Sequence, residues 1–470
     1  MFTRNHGLTI FLLMAMGIIS IWFMHSVPFW GDEHHYLRVG KGVAAGLLGQ
    51  SSSEEVAKSI IAQGWFMPGV GLLFAPLFLL THLEPSLLAT RVYAATLNLI
   101  LLTAIVRELT LRFGPRSAQV FLAICLISPF YVSFLSGAWA DILALHFVLL
   151  FLLWLDRRLA ATNPVLALPA GTGLAALTYL RPLYWPMLAL PVAAWIISAL
   201  KQDEEPWRST RNIAMKSLLM VIVFVVLLAP WSYSVSEIYG PTIFRTTSKI
   251  SGIMWCISPD RNPYLPEGTE RVSWGQLFFS TQRLANRNGV SFSEQARIET
   301  EKACEGVKRV GRLERNSLAI ERYFAHPENF MRRFSRLRCE ESKCLGKDSR
   351  ENLLQATRIN WFVLLTIGTL LSLIPFRQSS NGSYLLPVFL KATVCLVCMH
   401  PLVASAHSRY HVVLVPVFAM MTALVASGNF RIWRYDAAER SLSVLLAMGQ
   451  TIPILLFSAI LAFLSNSVPV

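Results

Sequence analysis

Charged residues are scarce in this sequence of 470 residues. Asp, Glu, Lys and Arg make up 15% of the chain, whereas soluble domains average about 25%. Hydrophobic residues reach 54%, and the mean hydropathy is +0.48. This composition excludes an ordinary soluble globular domain and is typical of a membrane protein with several spans.

Acidic residues are fewer than basic ones, which gives a formal net charge of +14. A basic balance can indicate nucleic-acid binding, but the Lys and Arg residues of this chain do not form one patch. They occur in short clusters between apolar segments, as in cytoplasmic loops that face anionic lipid. We therefore predict membrane lipids, and no nucleic acid, among the partners.

The sequence also lacks a small-residue cleavage site after its first apolar segment. Met24 is followed by His-Ser-Val-Pro-Phe-Trp instead of a small-x-small pattern. We therefore expect the first helix to remain as an anchor. An inverted internal repeat, which many secondary transporters show, is not evident in the sequence either.

Apolar segments long enough to span a bilayer, which takes about 20 residues, recur along the chain. They predict an all-α polytopic membrane protein, a bundle of about 11 transmembrane helices. Extracytoplasmic juxtamembrane helices and one extracytoplasmic, mostly helical insertion complete the predicted architecture. The predicted spans are 8–24, 90–107, 117–135, 139–155, 164–180, 182–200, 215–233, 358–376, 384–403, 410–428 and 442–463.

Another apolar segment, 65–82, contains Pro68 and Pro76, and proline interrupts helical hydrogen bonding. The positive charges decide how it is placed. If 65–82 does not cross, basic clusters such as those at Arg112 and Arg157 share the side of the N-terminus, as the positive-inside rule prefers. We therefore predict a juxtamembrane or re-entrant hairpin, a cytoplasmic N-terminus and an extracytoplasmic C-terminus.

Four of the seven cysteines fall outside the predicted spans, in a compartment that can oxidise them. Zinc is the competing interpretation, but only two of these four are close in sequence and no paired-ligand spacing repeats. Disulfides are therefore favoured, and no metal ligands are predicted. Three pairings are formally open, and the short spacing favours Cys339 with Cys344 and leaves Cys256 for Cys304.

A motif rich in ionisable groups follows directly after the first apolar segment. Residues 30–36, Trp-Gly-Asp-Glu-His-His-Tyr, place two carboxylates, two imidazoles and a phenol at the mouth of the first helix. Ionisable groups in such a position are costly to desolvate, so they usually mark a site. A solvated, acidic start of a loop is the alternative.

The pattern Asp-Glu-x-x-Tyr at 32–36, followed by a glycine-rich stretch at 40–49, resembles the polyprenyl-phosphate-dependent glycosyltransferases of the GT-C superfamily. The nearest group is family 39, the protein mannosyltransferases and bacterial lipid A aminoarabinose transferases. The resemblance is collinear over nearly the whole chain. The further matching segments are Asp141, Leu180-Arg181-Pro182, Pro230-Trp231, Tyr239-Gly240, Thr247-Ser248, Tyr323 to Pro327, and Arg409-Tyr410 before Pro416.

The sequence departs from the pattern of that family in two motifs. Ser234 and Val235 stand where the family motif has Arg and Asn, and His35 stands where many lipid A relatives have Arg. One contact to the donor phosphate is therefore weaker or supplied from elsewhere.

The resemblance implies a hexosyl- or pentosyltransferase with a polyprenyl-phosphate sugar donor. The acceptor is a lipid, a glycan or a protein on the extracytoplasmic face, and the reaction proceeds with inversion. The implied location is the bacterial inner membrane with the site facing the periplasm. The resemblance implies no required cofactor and does not decide whether a divalent metal ion binds.

The predicted topology divides the chain into three parts. Residues 1–233 form the N-terminal transmembrane catalytic module, whose first extracytoplasmic loop is 26–89. Residues 234–357 form the extracytoplasmic helical segment, and residues 358–470 form the C-terminal transmembrane helices.

A sugar acceptor hydroxyl has a high pKa, so its attack on the anomeric carbon requires a positioned base. Asp32 is the predicted base, because partial burial can raise the pKa of a carboxylate. Glu33 is assigned a supporting or acceptor-orienting role. Asp141 matches the second acidic position of the family, and a plain helix N-cap is its alternative.

An anionic lipid phosphate leaves in this reaction and requires fixed positive charge at the membrane face. For the two arginines among the candidates, headgroup snorkelling is the alternative. For His34, the alternative is that it is an ordinary interfacial histidine. The predicted phosphate-binding residues are Arg409, Arg181, Lys249 and His35, and the further site residues are Tyr36, His34 and Tyr410.

Two other functions compete with glycosyl transfer. A transporter or lipid flippase requires charged or broken helices at mid-bilayer depth, whereas here the ionisable groups cluster at one membrane face. A non-catalytic membrane subunit gives no reason for Asp32, Asp141 and Arg409 to share that face.

Overall fold

The structure is a computed structural model that describes residues 4–62, 64–158, 164–201, 206–258, 264–266, 268–270, 272–305, 307, 331–332, 347–379, 385–398, 412–433 and 450. Most of these residues are helical, and the strands among them form a single two-stranded sheet. The predicted all-α class is therefore confirmed.

The helices of the N-terminal half alternate between long apolar elements and short ones. A 3-10 turn, Pro164–Leu166, precedes α9, and a 3-10 segment, Pro182–Leu188, follows it. The helices are α1 (Arg4–Met24), α2 (Glu33–Leu47), α3 (Ser53–Ile61), α4 (Gly69–Leu80), α5 (Leu87–Phe113), α6 (Pro115–Leu126), α7 (Pro129–Phe134), α8 (Ala140–Arg158), α9 (Ala167–Leu180) and α10 (Ala189–Lys201).

The rest of the chain contains the longest helix of the described residues and the small sheet. Strands β1 (Phe376–Gln378) and β2 (Phe430–Ile432) pair in antiparallel fashion. The helices are α11 (Pro206–Tyr239), α12 (Thr247–Ile257), α13 (Trp274–Asn288), α14 (Phe292–Cys304), α15 (Lys347–Leu373), α16 (Leu385–Cys398) and α17 (Leu414–Ala426).

Four helices of the described residues are long and apolar enough to cross a membrane. They are Gly7–Met24 in α1, Leu87–Phe113, Thr210–Tyr239 in α11 and Asp348–Leu373 in α15. Helices of this length and composition are consistent with an integral membrane protein. Several other predicted spans contain only shorter apolar helices of 10–17 residues. The count of about 11 spans is not confirmed and stays a prediction.

Two of the predicted spans are interrupted. The segment 117–135 is divided between α6 and α7, and Pro129 opens α7, where its missing N–H costs no hydrogen bond. The segment 182–200 begins as the 3-10 segment before it continues as α10.

The ambiguous segment 65–82 contains α4, whose 12 residues extend about 18 Å. A bilayer core is about 30 Å thick, so α4 alone is too short to cross it. Pro76 lies inside α4, and the helix continues through it.

The helices on either side of the predicted insertion 234–357 extend into it. Helix α11 continues to Tyr239, and α15 begins at Lys347. Between them, α13 begins with a capping box in which Ser273 accepts from the backbone N–H of Gln276 and Gln276 accepts from that of Ser273.

Ion pairs define two opposite ends of the helix bundle. Arg91 lies near the start of α5, and Arg112 lies near its end, 21 residues or about 32 Å further along the helix. Arg112 forms an ion pair with Asp156 near the end of α8, and Gln378 of β1 donates to both oxygens of Asp156 at 2.9 and 3.0 Å. We call the Arg112 end the sheet end and the Arg91 end the site end. The predicted topology also places Arg112 and Arg377 on one side of the membrane.

Helix α2 is held between α3 and α4 by close backbone approaches. A Cβ on Gly40 would lie 2.9 Å from the carbonyl oxygen of Gly71, and one on Gly71 would lie 2.8 Å from that of Tyr36. Side chains at these positions would force the helices apart. The glycine-rich stretch noted in the sequence thus has a packing role, and it fixes the position of α2 and the motif at its start.

Candidate functional site

Glu33 of α2 and Arg91 of α5 form a buried ion pair at the site end. Both side chains are fully buried. The guanidinium donates from Nη1 to Oε1 of Glu33 and from Nη2 to Oε2 at 3.1 Å. Such a bidentate pair fixes the geometry of both side chains.

The same pair connects three separate segments of the chain. The backbone N–H of Ala138 donates to Oε1 of Glu33 at 2.9 Å. Arg91 donates to the carbonyl oxygens of Val27 at 2.9 Å and Pro28 at 3.3 Å. Glu33 and Arg91 together therefore hold the loop after α1 against the turn before α8.

Arg91 was not among the site residues predicted from the sequence. The residue lies just inside the predicted span 90–107, and an intramembrane arginine is itself a signal of a site with a charged partner. The adjacent carboxylates drew attention to residues 32 and 33, but no sequence pattern indicated which partner would neutralise either one.

Asp141 and Arg181 form a second ion pair at the site end. Asp141 opens α8 and is 1% exposed, and the side chain of Arg181, at the end of α9, is 10% exposed. The structure thus brings a predicted catalytic acid and a predicted phosphate-binding cation together. Each largely neutralises the other, so neither charge is fully available to a substrate.

Asp32 differs from the other two acids because it is only half-buried. It occupies the N-cap position of α2, but its side chain makes no capping hydrogen bond. Gly31 before it has a φ of +59°, a conformation that favours glycine and turns the chain into the helix. The resulting loop is held from the other side by Trp30, whose ring lies 5.5 Å from that of Trp139.

His35 lies one helical turn after Asp32, between two aromatic rings. Its imidazole is 5.3 Å from the ring of Trp65 and 5.2 Å from that of Phe66. Burial lowers the pKa of His35, the charge of Arg38 lowers it further, and the carboxylate of Asp32 opposes both effects. His35 therefore favours the neutral form and is a poor source of fixed positive charge near neutral pH.

The neighbours of His35 on α2 differ in exposure. His34 is exposed and lies 6.3 Å from the ring of Phe29, while Tyr36 is buried against Phe66. Arg38 is exposed on α2 and was not predicted. The spacing of three residues between Asp32, His35 and Arg38 on a helix was the signal that could have found it.

Lys249 lies in the first turn of α12 and is half-buried. The residue before α12, Thr246, donates its backbone N–H to the carbonyl oxygen of Gly64 at 2.9 Å. This bond attaches the start of α12 to the loop that carries Trp65.

Cys256 and Cys304 form a disulfide between the ends of α12 and α14, with their Cα atoms 5.2 Å apart. This is the pairing that the sequence spacing left for these two cysteines. Cys339 and Cys344, together with Arg409, Tyr410 and the segment from Tyr323 to Pro327, lie outside the described residues. Their predicted roles stay predictions.

Within the part of the chain that the structure describes, no three His, Cys, Asp or Glu residues are grouped as a metal site requires. Glu33 and Asp141 at the site end are instead paired with arginines. The divalent metal that the resemblance left open therefore has no ligand set among these residues.

The chain matches no known family model, and no curated protein matches its sequence.

Proposed function

We propose that the chain is a membrane glycosyltransferase that moves a sugar from a polyprenyl-phosphate donor to an acceptor at the site end. The observation that carries the proposal is the different burial of three acidic side chains at that end. Glu33 and Asp141 are at most 1% exposed, whereas Asp32 is half-buried. Asp32 is the acid that remains accessible to an acceptor.

The reaction is a single displacement with inversion at the anomeric carbon. The acceptor oxygen forms the new bond to that carbon while Asp32 takes the hydroxyl proton. The bond between the anomeric carbon and the phosphate oxygen breaks, and the polyprenyl phosphate leaves with the electron pair. The acceptor is a lipid, a glycan or a protein.

Fixed positive charge near Asp32 would stabilise the leaving phosphate. Arg38 supplies charge from α2, and Lys249 and Arg409 remain candidates from the sequence. Arg181 is tied to Asp141, so its contribution to the phosphate is smaller than the sequence suggested.

The membrane placement in this proposal follows the charge clusters of the sequence. The sheet end faces the cytoplasm and the site end faces the periplasm of a bacterial inner membrane, because the positive-inside rule prefers this orientation for the arginine-rich end.

The test is turnover of purified full-length protein in nanodiscs with a panel of polyprenyl-phosphate sugars. Asp32→Asn keeps the shape of the side chain but removes proton acceptance, so turnover should fall at least about 100-fold while donor binding persists. The matched control is Glu54→Gln, an exposed carboxylate on α3 that lies outside the predicted site. Near-normal turnover of Asp32→Asn in an assay limited by chemistry would contradict the assignment of the base.

The same preparation separates this proposal from a transporter or flippase. Glycosyl transfer consumes the donor and releases polyprenyl phosphate, whereas a flippase moves the intact donor between leaflets. Donor that changes leaflet without being consumed, across the whole panel, would reject the enzyme.

A further inference from the structure

The loop between α3 and α4 is attached at two points to the insertion, residues 234–357. The hydroxyl of Tyr239, at the end of α11, donates to the carbonyl oxygen of Ala62. The carbonyl oxygen of Gly64 accepts from the backbone N–H of Thr246 at 2.9 Å. A Cβ on Gly64 would lie 2.8 Å from Cγ2 of Thr246, so the two segments are in close contact. The backbone that leads into Trp65 is therefore fixed to the insertion.

The same loop adopts a backbone conformation that side chains disfavour. Ala62 has a φ of +44° and a ψ of −118°, which lies outside the regions open to most residues with a Cβ atom. Such a residue costs about 1–3 kcal/mol and persists only where its surroundings hold it. The bonds from Tyr239 and Thr246 hold the loop in this conformation.

Trp65 lies between the insertion and the first turn of α2. Its ring makes an edge contact with Phe278 of α13, with centroids 5.3 Å apart, and a second contact with the imidazole of His35, also at 5.3 Å. The neighbouring ring of Phe66 packs at 5.2 Å against both His35 and Tyr36. Aromatic contacts therefore run without a break from α13 to α2.

Phe278 is itself part of a small aromatic core in the insertion. It is 2% exposed, and its ring lies 4.8 Å from that of Phe292 and 5.8 Å from that of Tyr239. Phe292 begins α14, which the disulfide joins to α12. Trp65 therefore rests on a part of the insertion that is also linked covalently.

The first turn of α2 determines where Asp32 lies. The backbone N–H groups of His35 and Tyr36 donate to the carbonyl oxygen of Asp32 at 3.1 and 3.2 Å. Consecutive helical residues point about 100° apart, so His35 lies on nearly the opposite side of the helix from Glu33. The buried ion pair of Glu33 fixes one side of this turn, and the ring of Trp65 contacts the other.

We propose that Trp65 is a positioning residue through which the insertion controls Asp32. Its ring, supported by Phe278, holds the first turn of α2 in place and shields His35 from water. The effect on turnover rests on the proposed sugar transfer, whereas the shielding of His35 does not.

The titratable and charged groups that act on His35 lie on or beside α2. They are Arg38, Asp32 and His34, and burial affects the pKa of His35 more than any of them. Helix α4, which packs against α2, carries no ionisable side chain. Removal of the Trp65 ring should therefore raise the pKa of His35 by admitting water. The other ionisable side chains of the surrounding helices are exposed: Lys41, Glu54, Glu55, Lys58, Arg283 and Arg287.

The shielding of His35 is tested by the pH dependence of its reaction with diethylpyrocarbonate, which modifies neutral imidazole. The full-length protein is labelled in nanodiscs, and tandem mass spectrometry assigns the label to His35. In Trp65→Ala the midpoint should move up towards the ordinary value of 6.5, whereas Trp65→Phe keeps an aromatic ring and should stay near wild type. Phe279→Ala is the matched control, because this neighbour of Phe278 in α13 is 51% exposed.

The control of Asp32 is tested by turnover with the polyprenyl-phosphate sugar panel. A misplacement of about 1 Å can cost about 100-fold in rate, so we expect Trp65→Ala to lower kcat at least about tenfold and to leave the KM for the donor nearly unchanged. Trp65→Phe should restore most of the loss. A raised KM with normal kcat would overturn the proposal, because Trp65 would then contribute to donor binding itself. A wild-type His35 profile in Trp65→Ala would overturn it as well.

The two measurements separate this inference from the proposed function. Wild-type protein that consumes no donor would reject the sugar transfer, and the His35 profile alone would then decide whether Trp65 couples the insertion to α2. Thermal unfolding identifies a Trp65→Ala protein that fails to fold. Phe278→Leu then takes its place, because it removes the supporting ring from the side of the insertion and should move the His35 midpoint in the same direction.

Discussion

Glu33 and Arg91 are 58 residues apart in the chain and form a bidentate ion pair that is inaccessible to solvent. The pair connects the start of α2, the start of α5 and the turn before α8. The removal of one partner from such a pair leaves the other charge buried and uncompensated, which costs much more than the pair itself contributes.

We expect Glu33→Gln to destabilise the protein by about 3–5 kcal/mol, because Arg91 then remains charged and buried. The double variant Glu33→Gln/Arg91→Gln should lose less than the sum of the single losses, since it buries no charge and keeps an acceptor for the N–H of Ala138. The measurement is the free energy of unfolding in mixed micelles. Additive losses would contradict the coupling, and Glu294→Gln in an exposed pair on α14 is the control with little expected change.

The burial of His35 predicts a pH dependence of stability. Its pKa in the folded chain lies below 6.5, so the unfolded chain binds more protons in the interval between the two values. The contribution of neutral His35 is complete above pH 6.5 and is lost as the pH falls through the folded pKa. The melting temperature of His35→Gln should therefore depend less on pH between about 7.5 and about 5.

His34→Gln is the control for that measurement, because His34 is exposed on the same helix turn. Its melting temperature should follow the wild-type pH profile. Parallel profiles for wild type and His35→Gln would mean that His35 has the same pKa in the folded and unfolded chains. The burial of His35 would then have no effect on the pH dependence of stability.

The disulfide between Cys256 and Cys304 closes a separation of 48 residues. A chain-entropy estimate for a closed loop of this size gives about 4 kcal/mol. We expect Cys256→Ser/Cys304→Ser to unfold at lower temperature and to be cleaved faster between α12 and α14 in limited proteolysis. Non-reduced peptide mass spectrometry should find the two cysteines linked in wild type, and free thiols at both positions would refute the pairing.

The topology predicts the side of the membrane for reporter fusions. Fusions after residues 112, 205 and 435 should be cytoplasmic, and fusions near 60, 300 and 406 should be extracytoplasmic. The pairing of Arg112 with Asp156 further requires that fusions after 112 and 158 agree. A cytoplasmic reporter at residue 300 would mean that the entire site end faces the cytoplasm.

The all-α class of this protein was determined by its sequence, because long apolar segments must satisfy their backbone groups internally in a bilayer and a helix does so within one segment. The number of spans was not determined in this way. Apolar composition does not reveal where a helix is interrupted, as between α6 and α7, or shortened, as in α4.

The sequence also placed two adjacent carboxylates at the mouth of the first helix, but it could not distinguish their roles. Consecutive helical residues point about 100° apart, so Asp32 remains at the surface while Glu33 turns inward to Arg91. Only the tertiary structure could identify Arg91 as the partner of Glu33, because Arg91 lies on a helix that is distant in sequence. For the same reason, only the packing of α8 against α9 showed that Asp141 and Arg181 neutralise each other, whereas the sequence assigned them to separate tasks.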